Sequence, residues 1–197
     1  MVDLASWFGD SDLWINVKRH LAIFHTKYYL INDSSQKLSD GLKYFNMAAR
    51  LDTVCKFICE QGHWRVTNLQ LQKILYVAQM VYLGRFGRRL TDGTFEAWDY
   101  GPVEPTVYQK VRMFGSGPIQ DVFFDARRFK EDDDRREVLK AVCDDLLDKP
   151  ASALVEITHW ERGAWAKHYV PGLRGIVIPD SDMRVEYFDR RKSAKSG

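Results

Sequence analysis

Hydrophobic positions along this chain settle into a regular period only after residue 46. Leu51, Val54, Cys55, Ile58 and Cys59 fall at i, i+3, i+4, i+7 and i+8, which is one face of an amphipathic helix. Gly62 is positioned to stop it. A second helix opens at Thr67 or Asn68, both good N-caps. Leu71, Ile74, Leu75, Ala78, Val81 and Tyr82 give that helix a broad apolar stripe. Asn68, Gln72 and Gln79 lie roughly opposite, so the pattern predicts one packed side and one solvated side, with Gly84 and Gly87 as the end. From Thr94 to Tyr100 the content turns β-branched and aromatic, and Phe95, Ala97 and Asp99 alternate with Glu96, Trp98 and Tyr100, as in a strand. Gly101-Pro102 is expected to stop the strand, because proline cannot donate to a ladder. Pro105 suits the first turn of a following helix, whose buried face is Val107, Val111 and Phe114 and whose end is Gly115.

The charged stretch 123–136 reads as a solvated loop of mixed sign. Val138, Leu139, Val142 and Leu146 then mark a helix halted before Pro150. Leu154, Ile157 and Thr158 mark another over 151–160. Gly175 to Ile178 is a short apolar run expected to pair with 95–100. Asp180 is placed to cap a final helix through Met183, Tyr187 and Phe188, with acids first and bases (Arg190, Arg191, Lys192, Lys195) last, as the helix dipole prefers. The sum is α+β: a mainly helical single domain with a small antiparallel sheet. Residues 1–46 hold Trp7, Phe8, Trp14, Phe24, Tyr28 and Tyr29 without a long period. Two readings of them stand side by side: an N-terminal extension, or translation from a start upstream of a natural Met47. The domain itself is expected to be 47–197.

Composition narrows the function classes. A chain of 197 residues can bury one good core. Its formal charge of +2 is too small to point to a nucleic-acid partner. Cys55, Cys59 and Cys143 are too few, and odd in number, for a disulfide framework, which suits a reducing cytoplasm. No apolar run reaches the length of a spanning helix. Asp3 and Asp10 occupy the place of a cationic signal region. A cytoplasmic protein is expected.

Candidate chemistry is sparse. Cys55, Cys59 and His63 share a helix face, and Cys143 could complete a zinc set, yet the two cysteines are in phase with Leu51 and Ile58, where small core residues belong. Cys143 with His159 or His168 would need an activated thiolate, and mid-helix is a poor place for one. Thr158-His159 and Trp165 read as packing residues at a helix end. Asp99 and Glu104 flank a turn as a carboxylate pair, but Glu104 precedes Pro105 and suits a helix cap better than acid–base work. Phosphate loops, dinucleotide fingerprints and nucleophile elbows do not occur. What remains is Trp98, Tyr100 and Tyr108 clustered around Gly101, Pro102, Val103 and Pro105. Such aromatics on a rigid turn make a binding hot spot or seal strand to helix, since either use wants the same residue types. Should the turn prove buried, partner contact is expected at Gln72 and Gln79 instead.

Two strings carry a resemblance: Thr67-Asn68-Leu69-Gln70-Leu71-Gln72-Lys73-Ile74-Leu75-Tyr76, and Glu96 to Tyr108, EAWDYGPVEPTVY. They resemble the SocA-like or Panacea antitoxin domain family, first catalogued among phage-associated proteins. The likeness spans roughly residues 47–190 and includes the Thr158-His159…Trp165 segment. Gln72 and Ile74 are conservative variants of its pattern, and the loop 123–136 is particular to this chain. The resemblance implies an α+β domain without catalytic residues, cofactor or metal, acting as the antitoxin of a type II-like toxin–antitoxin pair. It implies a cognate protein toxin neutralised by direct binding, either by occlusion or by delivery to an ATP-dependent protease such as ClpXP. Two other classes stand against it. A small-molecule enzyme would need a polar pocket that these residues do not assemble. A DNA-binding regulator would need a basic recognition helix, and 103–114 offers only Lys110 and Arg112.

Overall fold

The computed structural model describes residues 47–195, so the expectations for Trp7, Trp14, Phe24 and their neighbours lie outside the described residues. Its main body is Ala48–Phe188, a compact unit. In order, the elements are α1 (Leu51–Gln61), α2 (Asn68–Phe86), β1 (Glu96–Trp98), β2 (Gly101–Val103), α3 (Pro105–Val111), a 3-10 turn (Arg112–Phe114), α4 (Asp134–Leu146), α5 (Ala151–Thr158), α6 (Ala164–His168) and α7 (Asp180–Lys195). The fold is α+β, mainly helical with one small antiparallel sheet. Among the described residues no helix is long and apolar enough to cross a membrane.

Helix α2 is the centre. Thr67 and Gln70 form a reciprocal capping box at its start, and Gly87, at φ +66°, closes its end in the left-handed conformation. Helices α1, α3, α4 and α5 and strand β2 all pack against it. Every residue from Leu71 to Leu83 is buried as a result. The expected solvated side of α2 is therefore not there. Gln72 and Gln79, read from the sequence as an exposed polar face, are buried side chains with structural partners. The Gln72 amide bridges the backbone of Glu104, donating from Nε2 to its carbonyl (3.3 Å) and accepting from its N–H at Oε1 (2.7 Å). The Gln79 Oε1 accepts from the N–H groups of both Leu90 and Thr91 at 3.1 Å. Helical periodicity misplaced them because an amide that satisfies a neighbouring loop can be buried like an apolar group. Gly84 does not end the helix either. It makes room for the Tyr187 ring, which would lie 1.9 Å from any Cβ at that position.

The hairpin differs from expectation in an instructive way. Gly101-Pro102 does not stop the strand; the chain reverses at Asp99–Tyr100, and Gly101–Val103 runs back as β2, with Glu96 opposite Val103, Ala97 opposite Pro102 and Trp98 opposite Gly101. Ala97 directs its N–H to the Ile176 carbonyl on its other side (2.9 Å). The Ala97–Pro102 pair is thus one where no N–H is needed from residue 102, and proline is tolerated. The expected pairing of 175–178 with β1 is present as a bridge between Glu96 and Val177. As expected, the Glu104 carboxylate caps α3 by accepting from the Val107 N–H (2.6 Å). Phe123 is buried while most of 123–133 is irregular and exposed. Cys55, Cys59 and Cys143 are all buried free thiols.

Gln79 yields a direct test of this architecture. Replacing it by leucine keeps volume but strands the Leu90 and Thr91 N–H groups, each costing about 1–3 kcal/mol when buried without a partner. Chemical denaturation of Gln79→Leu should show a loss of at least about 2 kcal/mol, whereas an exposed glutamine at this site would leave stability unchanged.

Candidate partner-binding site

The hairpin carries the candidate site because it is rigid behind and open in front. Behind it, on α2, lies Lys73, with a relative exposure of 1%. Its Nζ donates to the Pro102 carbonyl (3.2 Å), the one that faces away from β1. Burial alone pulls its pKa from the ordinary 10.5 to about 7. Beside Lys73, against the same face of Gly101, is His159, at the end of α5. A Cβ at residue 101 would lie 2.5 Å from the Lys73 Nζ and 3.0 Å from the His159 Nε2, and the backbone there has φ +96°. Glycine is required on both counts. The His159 pKa is lowered, first by burial and then by the Lys73 charge, while a hydrogen bond to the Tyr100 backbone opposes both. Nε2 is buried without a hydrogen-bond partner, so the ring makes that bond through Nδ1.

Aromatic rings tie this base to the rest of the domain. His159 stacks on Trp165 at 3.8 Å between centroids, and Trp165 stacks on Tyr169 at 4.6 Å. The Trp165 Nε1 donates to the Trp98 carbonyl (2.9 Å), fixing the strand end just before the turn. The Thr158-His159…Trp165 segment is therefore packing, as read from the sequence, but it packs directly under the hairpin. Short α6, which presents Trp165, was not foreseen: five residues between Gly163 and Tyr169 leave no period to detect.

In front, the sequence-selected residues divide. Gly101, Pro102 and Val103 are buried, and Pro105 and Tyr108 are half-buried. Trp98 is half-buried too. Its Nε1 donates to Glu96 (2.8 Å), its ring meets Tyr108 edge-on at 4.9 Å, and the Arg174 guanidinium lies 4.3 Å from the ring centre. Tyr100, at the tip, is 74% exposed. Asp99 holds the neighbouring loop against the tip by accepting from the Tyr169 hydroxyl (3.0 Å) and the Gly172 N–H (3.3 Å). Both earlier readings of the aromatics therefore apply, to different residues: Trp98 and Tyr108 seal strand to helix, and Tyr100 is presented outward. Exposed Val170, Leu173 and Val177 lie on the loop that Asp99 and Glu96 anchor.

Other groups weighed from sequence are held apart from this face. Burial pushes the Cys59 and Cys143 thiols up to about 12 and the Cys55 thiol well above its usual value, the reverse of an activated nucleophile. His168 is paired with Asp182 at 2.7 Å. No group of three or more His, Cys, Asp or Glu side chains among the described residues is arranged to hold a metal. Lys73 had no assigned role in the sequence reading, yet a signal existed: it is the single charged residue between Asn68 and Gly84. A helix so poor in charge is buried all round, and its one cation must be housed by protein.

The central part of the chain, from α2 through the hairpin to α6, has recognisable sequence relatives. Residues 71–166 match the family model described as antitoxin SocA-like, Panacea domain. That span is similar to the SocA-like Panacea antitoxin family. Lys73, the hairpin, His159 and Trp165 all fall inside the matched span. Over 109 residues the chain is 34% identical to Antitoxin SocA of Caulobacter vibrioides (strain NA1000 / CB15N), covering 51% of this chain and 58% of that protein. The chain thus spans a little over half the length of this curated relative. No solved structure matches it.

Lys73 makes the hairpin anchor sensitive to pH. Its folded pKa is depressed, so between about 7 and 10.5 the unfolded chain binds the extra proton, and stability rises with pH across that window. The fall to about 7 corresponds to a cost of about 5 kcal/mol for burying the charged form, fully present below 7. Urea titrations from pH 6 to pH 9.5 should show wild-type stability climbing relative to Lys73→Met, whose buried side chain carries no proton. Parallel profiles for the two proteins would show that Lys73 is not housed as described.

Proposed function

We propose that this protein is a non-enzymatic antitoxin that neutralises a cognate protein toxin by direct binding through the face around Tyr100. Similarity of residues 71–166 to the SocA-like Panacea domain carries this reading, together with 34% identity over 109 residues to a protein named Antitoxin SocA. The geometry supports it. The tip is presented on a hairpin whose rear is fixed by Lys73, Trp165 and Glu104, so little conformational entropy is left to lose when a partner docks. A large aromatic exposed on such a rigid support has the properties of a hot-spot anchor.

The neutralised toxin is either occluded in the complex or delivered to an ATP-dependent protease such as ClpXP, and both routes begin with the same contact. Growth of cells expressing the protein encoded beside this chain's gene should be restored by co-expression of the chain. Tyr100→Ala should abolish that relief. It should weaken binding by about 2 kcal/mol or more while changing unfolding free energy by no more than about 0.5 kcal/mol, as expected at an exposed position. Persistent growth arrest with both proteins at equal levels would reject the antitoxin reading. Full relief by Tyr100→Ala would reject this face.

The neutralising domain, on the same reading, begins near Met47, since Ala48–Phe188 form a compact unit of their own. A chain starting at Met47 should fold cooperatively and relieve toxicity as the full chain does. An insoluble or inactive product would assign residues 1–46 to the domain or its interface.

A further inference from the structure

The hairpin has a third strand position, and its outer edge is open among the described residues. The segment after Gly172 passes along β1: the Ile176 carbonyl accepts from Ala97 (2.9 Å) and the Ile178 N–H donates to the Phe95 carbonyl (2.8 Å). Those bonds flank the antiparallel Glu96–Val177 bridge. In such a pair the N–H and C=O of the bridged residue point away from the partner strand. Val177 therefore directs both groups outward, and neither has a partner among the described residues. Val177 itself is 48% exposed. Folded proteins ordinarily blunt an open edge with a charged side chain or cover it. Here the only charged residue between Val170 and Pro179 is Arg174, and it is drawn onto the Trp98 ring. The edge carries apolar Val177, with exposed Leu173 earlier on the same segment and exposed Tyr100 at the hairpin tip.

We propose that this edge receives an extended segment of the partner protein, which adds a strand next to Val177 and continues the β2–β1–176–178 order. The proposal rests on the antitoxin reading and specifies how its contact is made. Main-chain hydrogen bonds to Val177 supply the register, and the neighbouring apolar side chains supply the contact area. The absence of charge on the edge fits a segment whose facing side chains are apolar. Recognition through backbone groups places few demands on the sequence of the added strand, while the Tyr100 and Leu173 neighbourhood selects its flanking side chains.

Amide hydrogen exchange on the full chain, alone and with the purified protein encoded beside its gene, tests this. In the free protein the Val177 amide should exchange rapidly while those of Ala97 and Ile178 are protected. In the complex the Val177 amide should slow by at least about tenfold, the scale of one hydrogen bond. Val177→Pro removes an N–H that the chain's own sheet does not use. It should weaken binding by about tenfold or more, whereas Val177→Thr, which keeps the backbone and the branched shape, should stay within about threefold of wild type, the scale of an ordinary surface substitution. Unchanged Val177 exchange in a complex that does form would overturn strand addition and leave the antitoxin reading standing. So would equal damage from the proline and threonine variants. Protection already present in the free chain and rising with its concentration would mean that a second copy covers the edge, again overturning the proposal. A neighbouring protein that does not bind at all would remove both readings together. Should Val177→Pro fail to fold, the exchange measurement on the wild-type chain decides alone.

Discussion

Burial of α2 on every side is the constraint from which the rest of the structure follows. A helix enclosed by four others and a strand cannot leave a polar side chain to solvent, so each one must find a fixed partner. Gln72 finds Glu104, Gln79 finds Leu90 and Thr91, and Lys73 finds Pro102. None of these partners belongs to another helix. Each is the backbone of the connecting chain between Leu90 and Glu104, where no long run of regular structure would hold it. The polar residues of α2 thus specify the path of the irregular segment that contains the hairpin, while its apolar residues build the core. One helix does both because its amides reach past the apolar layer to the loop behind.

That arrangement also explains which features were legible in the sequence. Helices α1, α3 and α4 show their periods plainly because each buries a single face, and the caps at Thr67 and Glu104 follow from local chemistry alone. The reading of α2 failed at Gln72 and Gln79 because a polar residue opposite an apolar stripe looks the same whether it meets water or a buried carbonyl. The hairpin was half legible. Its first strand showed alternation, but β2 was hidden by Pro102, whose tolerance depends on Ala97 donating to Ile176, a contact 79 residues away in the chain. The pairing of 175–178 with this strand is expected from the sequence, but its register, which decides that residue 102 needs no N–H, leaves no local trace. The site behaved likewise. Tyr100 could be picked out as an aromatic on a constrained turn, whereas the roles of Lys73, His159 and Trp165 beneath it depend on three separate elements converging on one glycine.

The two sides of the hairpin are treated in opposite ways, and the difference has energetic meaning. Toward the core, the Pro102 carbonyl is satisfied by a buried ammonium whose charged form is costly there. Such a contact contributes little net stability. It does fix position, because the ammonium has one acceptor within reach and no room for Gly101 to gain a side chain. His159 completes the constraint beside Lys73, with its ring stacked on Trp165. The rear of the hairpin is therefore specified by interactions that are expensive to rearrange.

Toward solvent the same sheet ends on a strand position with backbone groups left over. A rigid rear and an unfinished front are complementary requirements for a protein that must hold a partner's main chain. A flexible edge would lose the entropy of its own ordering on each encounter, and a finished edge would have nothing to offer. Placing the costly contacts where the partner does not reach lets the exposed face vary without loosening its support. Under the proposed strand addition, substitutions at Tyr100 or Leu173 would alter what is recognised, while the register set through Lys73, Gly101 and Trp165 would stay as it is. A domain built this way would meet partners of different sequence through one fixed strand position, with its specificity in the few side chains that flank that edge.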